Sequence, residues 1–106
     1  MKIENLFDVP LGKMANEIVE EIFSTKNFFV ERIISDGQSS PQNFWYDQNT
    51  NELVFLLSGS AEIEFENEVV KLKPGDYLLI PAHTKHRVGK TDVNQKSIWL
   101  TFHYNE

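Results

Sequence analysis

The 106-residue chain predicts an all-β barrel, because its apolar residues fall in short runs of β-formers, several of those runs alternate with acidic residues, and Gly, Pro and Asn turns separate them. Many short strands punctuated in this way indicate a sandwich or barrel rather than a parallel sheet crossed by helices. With 41% hydrophobic and 25% charged residues, the composition is that of one ordinary globular domain.

The first segment departs from the strand pattern. Leu11, Met14, Ala15, Ile18, Val19 and Ile22 recur at spacings of three and four, which predicts a helix over residues 11–24 packed on the outside of the barrel. Pro10 suits its entry, and Glu17, Glu20 and Glu21 fall on the opposite side. Residues 1–26 therefore read as an N-terminal helical extension and 27–106 as the barrel.

From Phe28 to Ile34 the residues are β-formers, and Ser35-Asp36-Gly37 ends the run in a turn. A polar stretch with Pro41 follows. Strands are then expected over Leu53–Leu57, Ala61–Glu66, Val69–Leu72, Tyr77–Ile80 and Ile98–Tyr104, separated by Ser58-Gly59-Ser60, Asn67-Glu68 and Pro74-Gly75-Asp76. Glu62, Glu64 and Glu66 alternate with Ala61, Ile63 and Phe65, so they form a solvated face and not an acid–base pair.

Charge and inventory exclude several functions. Sixteen acidic against ten basic residues give a net charge of −6, and Lys85, Arg87 and Lys90 are too few to track a phosphate backbone, so no nucleic-acid partner is expected. The absence of cysteine excludes disulfides, thiolate metal sites and cysteine nucleophiles. No basic leader opens the chain and no apolar run approaches the ~20 residues of a membrane helix, which predicts a cytoplasmic protein without a membrane partner. A core this small gains from closure or from assembly, and a homodimer is one expected outcome.

Between Gly75 and His86 the sequence reads GDYLLIPAHTKH, which resembles the second cupin motif, G-x5-P-x-G-x2-H. Gly75, Pro81 and His86 match in register, while His83 stands at the motif's second glycine and Lys90 at its later asparagine. Upstream, Glu52 and Gly59 match the E-x6-G half of the first motif, and the His-x-His that precedes it falls on Tyr46 and Gln48, or on Trp45 and Asp47 with a gap one residue longer. The similarity spans roughly residues 43–104.

That resemblance implies a jelly-roll barrel whose interior takes a small molecule. In metal-binding cupins two histidines, the glutamate and the later histidine hold a divalent ion, so the resemblance assigns metal positions to Glu52 and His86, with Gln48 and Tyr46 at the altered pair. One imidazole and one carboxylate suit Zn, Fe, Mn or Ni if further donors join them. An amide oxygen and a protonated phenol are weak substitutes, which leaves an ion-free cavity as an equal expectation. His83 and His103 are further donors to consider, each more simply read as a structural histidine. His103 shares a strand face with Trp99 and Thr101, and either that face or the one with Leu100, Phe102 and Tyr104 can point inward.

Phe44, Trp45 and Trp99 are candidate pocket-lining residues, with core packing as the plainer account of big rings in a barrel. Two functions remain: a non-catalytic barrel that binds a small molecule, and a metal-dependent enzyme of oxygenase or isomerase type. The altered His-x-His favours the first, and the sequence names no catalytic residue.

Overall fold

The computed structural model describes residues 1–105 and contains eight strands and no helix among them. These are β1 (Ile18–Thr25), β2 (Phe28–Ser35), β3 (Asn51–Ser58), β4 (Ala61–Phe65), β5 (Val69–Leu72), β6 (Tyr77–Ile80), β7 (His86–Thr91) and β8 (Ser97–Tyr104). They form two antiparallel sheets, a larger one in the order β1-β2-β8-β3-β6 and a smaller one in the order β5-β4-β7. None of the described residues forms a helix long and apolar enough to cross a membrane.

The predicted helix over residues 11–24 is overturned. Ile18–Thr25 is a strand paired with β2 from Ile18↔Ile34 to Thr25↔Phe28, and a tight turn at Lys26-Asn27 joins the two. The three-and-four spacing joined two unrelated pieces, an extended strap before residue 18 and a strand after it. A register shift between Glu21 and Phe23 sets Ile22 out of step, and such a bulge breaks the two-residue alternation that would have marked the strand. A short helix has little stability of its own, whereas pairing with β2 satisfies the same backbone groups and adds cross-strand contacts. The extension is thus tied into the larger sheet, and the hairpin crosses the boundary expected at residues 26/27.

The remaining strands follow the sequence closely, and one more appears. Residues 86–91 pair with β4 as β7, so His86 opens a strand. Phe44 lies in no strand, and Tyr46 makes an isolated bridge to His86.

The core lies between the sheets. Val54, Leu56, Ile80 and Trp99 of the larger sheet meet Ala61, Ile63 and Leu72 of the smaller one, all at most 6% exposed. Trp99 stays buried because its indole Nε1 donates to Ser35 Oγ at 3.1 Å. Gly59, the motif glycine after β3, has a physical requirement for its identity. Its φ is +81°, and a Cβ there would lie 2.6 Å from Ser97 Cα. We expect Gly59→Ala to destabilise the fold by roughly 2–4 kcal/mol, through overpacking and the strained φ together. A melting temperature within ~3 °C of the parent would contradict that close approach.

Candidate functional site

Strand alternation and register build the site. On the inner face of the larger sheet, β2 presents Phe29, Glu31 and Ile33, which pair with His103, Thr101 and Trp99 of β8. On the other side of β8, Glu52, Val54 and Leu56 of β3 pair with His103, Thr101 and Trp99. One end of this surface is therefore apolar, around Leu56, Trp99 and Ile33, and the other is polar, around Glu52, Glu31 and His103. The open question about β8 is answered: Trp99, Thr101 and His103 are buried, while Leu100, Phe102 and Tyr104 face outward and are partly exposed.

The smaller sheet brings His86 to the polar end. His86 pairs with Phe65 across β4–β7, and backbone hydrogen bonds in both directions join it to Tyr46. The motif turn is sewn to the same segment, since His83 N donates to the Gln48 carbonyl at 2.7 Å.

Two carboxylates and two imidazoles then meet, with Glu52, His86 and His103 buried and Glu31 half-buried beside them. His86 Nε2 lies 3.5 Å from Glu52 Oε1, and His103 Nε2 lies 3.8 Å from Glu52 Oε2 and 3.5 Å from Glu31 Oε1. Thr101 Oγ1 is 3.4 Å from His103 Nε2. Glu52, His86 and His103 are each at most 8% exposed. Each imidazole also has an aromatic neighbour: Phe29 stacks on His103 at 4.4 Å, and Tyr46 on His86 at 5.5 Å, with Phe65 tilted against His86 at 6.2 Å.

Hydrogen bonding defines the protonation of the His86 pair. Nδ1 is 2.8 Å from the Thr84 carbonyl, which can only accept, so Nδ1 carries a proton and donates it there. A neutral His86 would then turn a bare Nε2 lone pair toward the Glu52 carboxylate. Burial alone would lower the imidazole pKa, but the Glu52 carboxylate and the Thr84 carbonyl outweigh it, and the net shift is upward from the usual value. The proton on Nε2 is favoured accordingly. At Tyr46 burial raises the phenol pKa, and the nearby carboxylates Glu17, Glu52 and Glu31 raise it further. This phenol keeps its proton at neutral pH.

The residues named from sequence are distributed unevenly. Glu52, His86 and His103 come together, and Tyr46 stacks beside them. Gln48 leaves its side-chain Oε1 buried without a hydrogen-bond partner. His83 points away: its side chain is 71% exposed and its Nδ1 lies 3.2 Å from Asp47 Oδ1. It occupies the motif's second glycine position with φ +62°, a left-handed turn whose geometry sends the side chain outward. Phe44 and Trp45 are 41% and 38% exposed in a surface loop, although Phe44 touches the Tyr46 ring edge-on at 4.8 Å. Trp99 packs in the apolar core, with Ile33 and Leu56 as its register partners.

Glu31 and Phe29 are site residues that sequence reasoning did not single out. A signal was present: Phe29-x-Glu31-x-Ile33 is a single acid in an otherwise apolar inward alternation, the pattern of a carboxylate carried into a barrel.

These residues do not fit the four-donor metal grip that the family pattern implies. Two of its positions hold a protonated phenol and a neutral amide, each a weaker donor than the histidine of the pattern.

Comparisons with known proteins agree with the architecture. The family model described as "Cupin domain" matches residues 31–102. A solved structure from Ralstonia eutropha JMP134, described as a "putative mannose-6-phosphate isomerase", is 44% identical, with all of both chains covered and a TM-score of 0.93. A cupin superfamily protein from Desulfitobacterium hafniense DCB-2 superposes with a TM-score of 0.76 at 19% identity, again over all of both chains. A conserved protein of unknown function from Streptococcus pyogenes gives 0.78 at 16% identity, covering 99% of this chain and 88% of that one. The latter two likenesses show the fold alone, and no curated protein matches the chain. The jelly-roll topology, the motif residues in register and the match over most of its length show that this chain belongs to the cupin domain family.

Proposed function

We propose that the chain binds a small, hydroxyl-rich molecule between its two sheets, against Glu31, Glu52, His86 and His103. One observation carries this reading: the contacts among these four groups, three of them buried, are 3.5–3.8 Å, longer than good hydrogen bonds. Buried charges seldom go without close partners, and contacts this long leave lone pairs and protons to be met by hydroxyls of a molecule lying against the cluster. Gln48 Oε1 and His103 Nδ1, buried and unpartnered, add to the unmet demand. Hydroxyls suit the site because they donate to carboxylates and accept from imidazolium and phenol. An anion beside Glu31 and Glu52 would be repelled, so inorganic phosphate is expected to bind worse than a neutral sugar.

The same geometry supports a second reading, an isomerase, which the description of the Ralstonia eutropha protein favours. In that reading Glu52 takes the proton from the carbon beside the carbonyl while protonated His86 gives its own to the carbonyl oxygen, which forms an enediol. Neutral His86 then takes the proton of the neighbouring hydroxyl as Glu52 returns its proton to the former carbonyl carbon, and both groups end as they began. The phosphate of a sugar phosphate would then have to lie outward, away from Glu31. The divalent ion implied by the family pattern forms no part of either reading, because the donor set at its positions does not fit.

Titration calorimetry with mannose and with inorganic phosphate tests the binding proposal. Mannose is expected to bind the parent and to lose at least tenfold in affinity in Glu52→Gln. Equal affinity in both proteins, or preference for phosphate, would refute the assigned site. Incubating mannose 6-phosphate in heavy water tests the isomerase reading: deuterium should enter at the carbon beside the carbonyl, and His86→Asn should slow this at least ~100-fold, the usual worth of a general acid or base. No incorporation in the parent removes this reading without touching the first.

The His86 pair also gives stability a defined pH dependence. Its folded pKa lies above the ordinary 6.5, so the contribution is complete below that value and is lost as pH rises through the folded pKa. Thermal melts should therefore show the parent losing stability from neutral toward alkaline pH, with a flatter profile for Glu52→Gln. Parallel profiles would show that the pair shares no proton.

A further inference from the structure

The two faces of the β1–β2 hairpin treat charge differently. On the outer face Arg32 lies opposite Glu20, and the two are paired. On the inner face Glu21 lies directly opposite Glu31, so two carboxylates share one cross-strand position. Side chains so placed have Cβ atoms about 4.5–5.5 Å apart, and like charges there destabilise a sheet.

The inner pair belongs to a longer row. Val19, opposite Ile33, shares its face, and Glu17 two residues earlier lies near enough to Tyr46 to help raise the pKa of that phenol. Glu52 continues the row across β8, since Glu31 pairs with Thr101 and Glu52 with His103. Exposure falls along it: Glu21 is exposed on the edge strand, the Glu31 side chain is 25% exposed, and Glu52 is 8% exposed. An acidic path thus runs from the open edge of the larger sheet to the buried cluster.

No cation of the chain answers it. The lysine and arginine ion pairs among the described residues go to Glu20, Asp76 and Glu64. Arg87, next to His86 in sequence, is engaged by Glu64 and by the Ser40 and Pro41 carbonyls, and Lys96 by the carbonyls of Pro10 and Gly12. A second observation comes from His103, which is 4% exposed. Its Nε2 points into the row, 3.5 Å from Glu31 and 3.8 Å from Glu52, and its Nδ1 is buried with no partner. Both contacts are too long for good hydrogen bonds, so this imidazole reaches into the row without satisfying it.

We infer that the bound molecule carries an ammonium group besides its hydroxyls, as an amino sugar does, with the nitrogen held between Glu21 and Glu31 and the hydroxyls turned toward Glu52 and His86. The inference rests on the binding site proposed above and adds its charge preference. An ammonium has three donors and no acceptor, whereas carboxylates only accept, so each bond between them is charge-assisted and roughly twice as strong as a neutral one. It also neutralises the repulsion between Glu21 and Glu31, which a hydroxyl does not. The exposed side of the row spares the cation full desolvation, and the net charge of −6 draws it from a distance.

Titration calorimetry at pH ~6, where such an amine is protonated, compares mannosamine with mannose, which differ at one substituent. The parent should bind mannosamine at least ~10-fold tighter, as one charge-assisted bond in place of a neutral one implies, and added salt should shrink the difference. Glu21→Gln should keep the parent's affinity for mannose and lose most of the preference for mannosamine. Equal affinities in the parent, or a preference that survives Glu21→Gln, would overturn the inference and leave the hydroxyl site in place. Failure of mannose to bind refutes that site instead, and mannosamine alone then decides: binding that Glu21→Gln abolishes supports the ammonium seat, and no binding overturns it. Calcium that binds the parent more tightly than mannosamine, and loses its hold in Glu21→Gln, would give the row to a metal ion and overturn the inference. Without ligand, Glu21→Gln should melt at or above the temperature of the parent, because it relieves the repulsion with Glu31. A lower melting temperature would make Glu21 a structural residue and likewise overturn the inference.

Discussion

The placement of β8 at the centre of the larger sheet, paired in register with β2 on one side and β3 on the other, is the constraint on which the rest depends. A strand side chain has two faces to choose from, and a slip of one residue exchanges them. With Trp99 locked against Ser35 and the core, Thr101 and His103 must also face inward, and pairing then sets Glu31 and Glu52 beside them. The bond from one indole to one hydroxyl at the apolar end thus helps aim an imidazole at the polar end.

Glu52 is the group both histidines share. Taken into the interior alone, its carboxylate would be strongly disfavoured, and the two imidazoles offset that cost only if protons lie between them. His86 is prepared for this by its own turn, because the Thr84 carbonyl takes the Nδ1 proton and leaves Nε2 to answer Glu52. Phe29, Tyr46 and Phe65 keep bulk water from the rings, which strengthens each electrostatic contact and makes the cluster responsive to any small polar molecule that enters.

The two faces of one sheet do different work. Inward alternation carries acid and imidazole together with the core, and outward alternation carries an apolar band of Val30, Leu100 and Phe102 beside the strap. An 8-residue edge strand, β1, links the two tasks: Glu20 on it holds Arg32, and Arg32 holds the strap. A substitution at Arg32 would therefore loosen the strap without entering the site.

Much of this was written in the chain. Short alternating runs and turn residues announce the strands from Phe28 onward, Gly59 and Pro81 mark motif positions, and Glu52 and His86 stand at spacings that the fold brings within 3.5 Å. These features depend on neighbours a few residues away or on a pattern of fixed length, so they are legible in one dimension. Tertiary structure decided the rest. Ile18–Thr25 became a strand because β2 offered a partner for its backbone, an energy no local spacing records. His83 turned out and His103 turned in because backbone geometry at one and register at the other settled the matter. Glu31 joined the site from a strand more than fifty residues from His86, since proximity across a sheet is set by pairing and not by sequence distance.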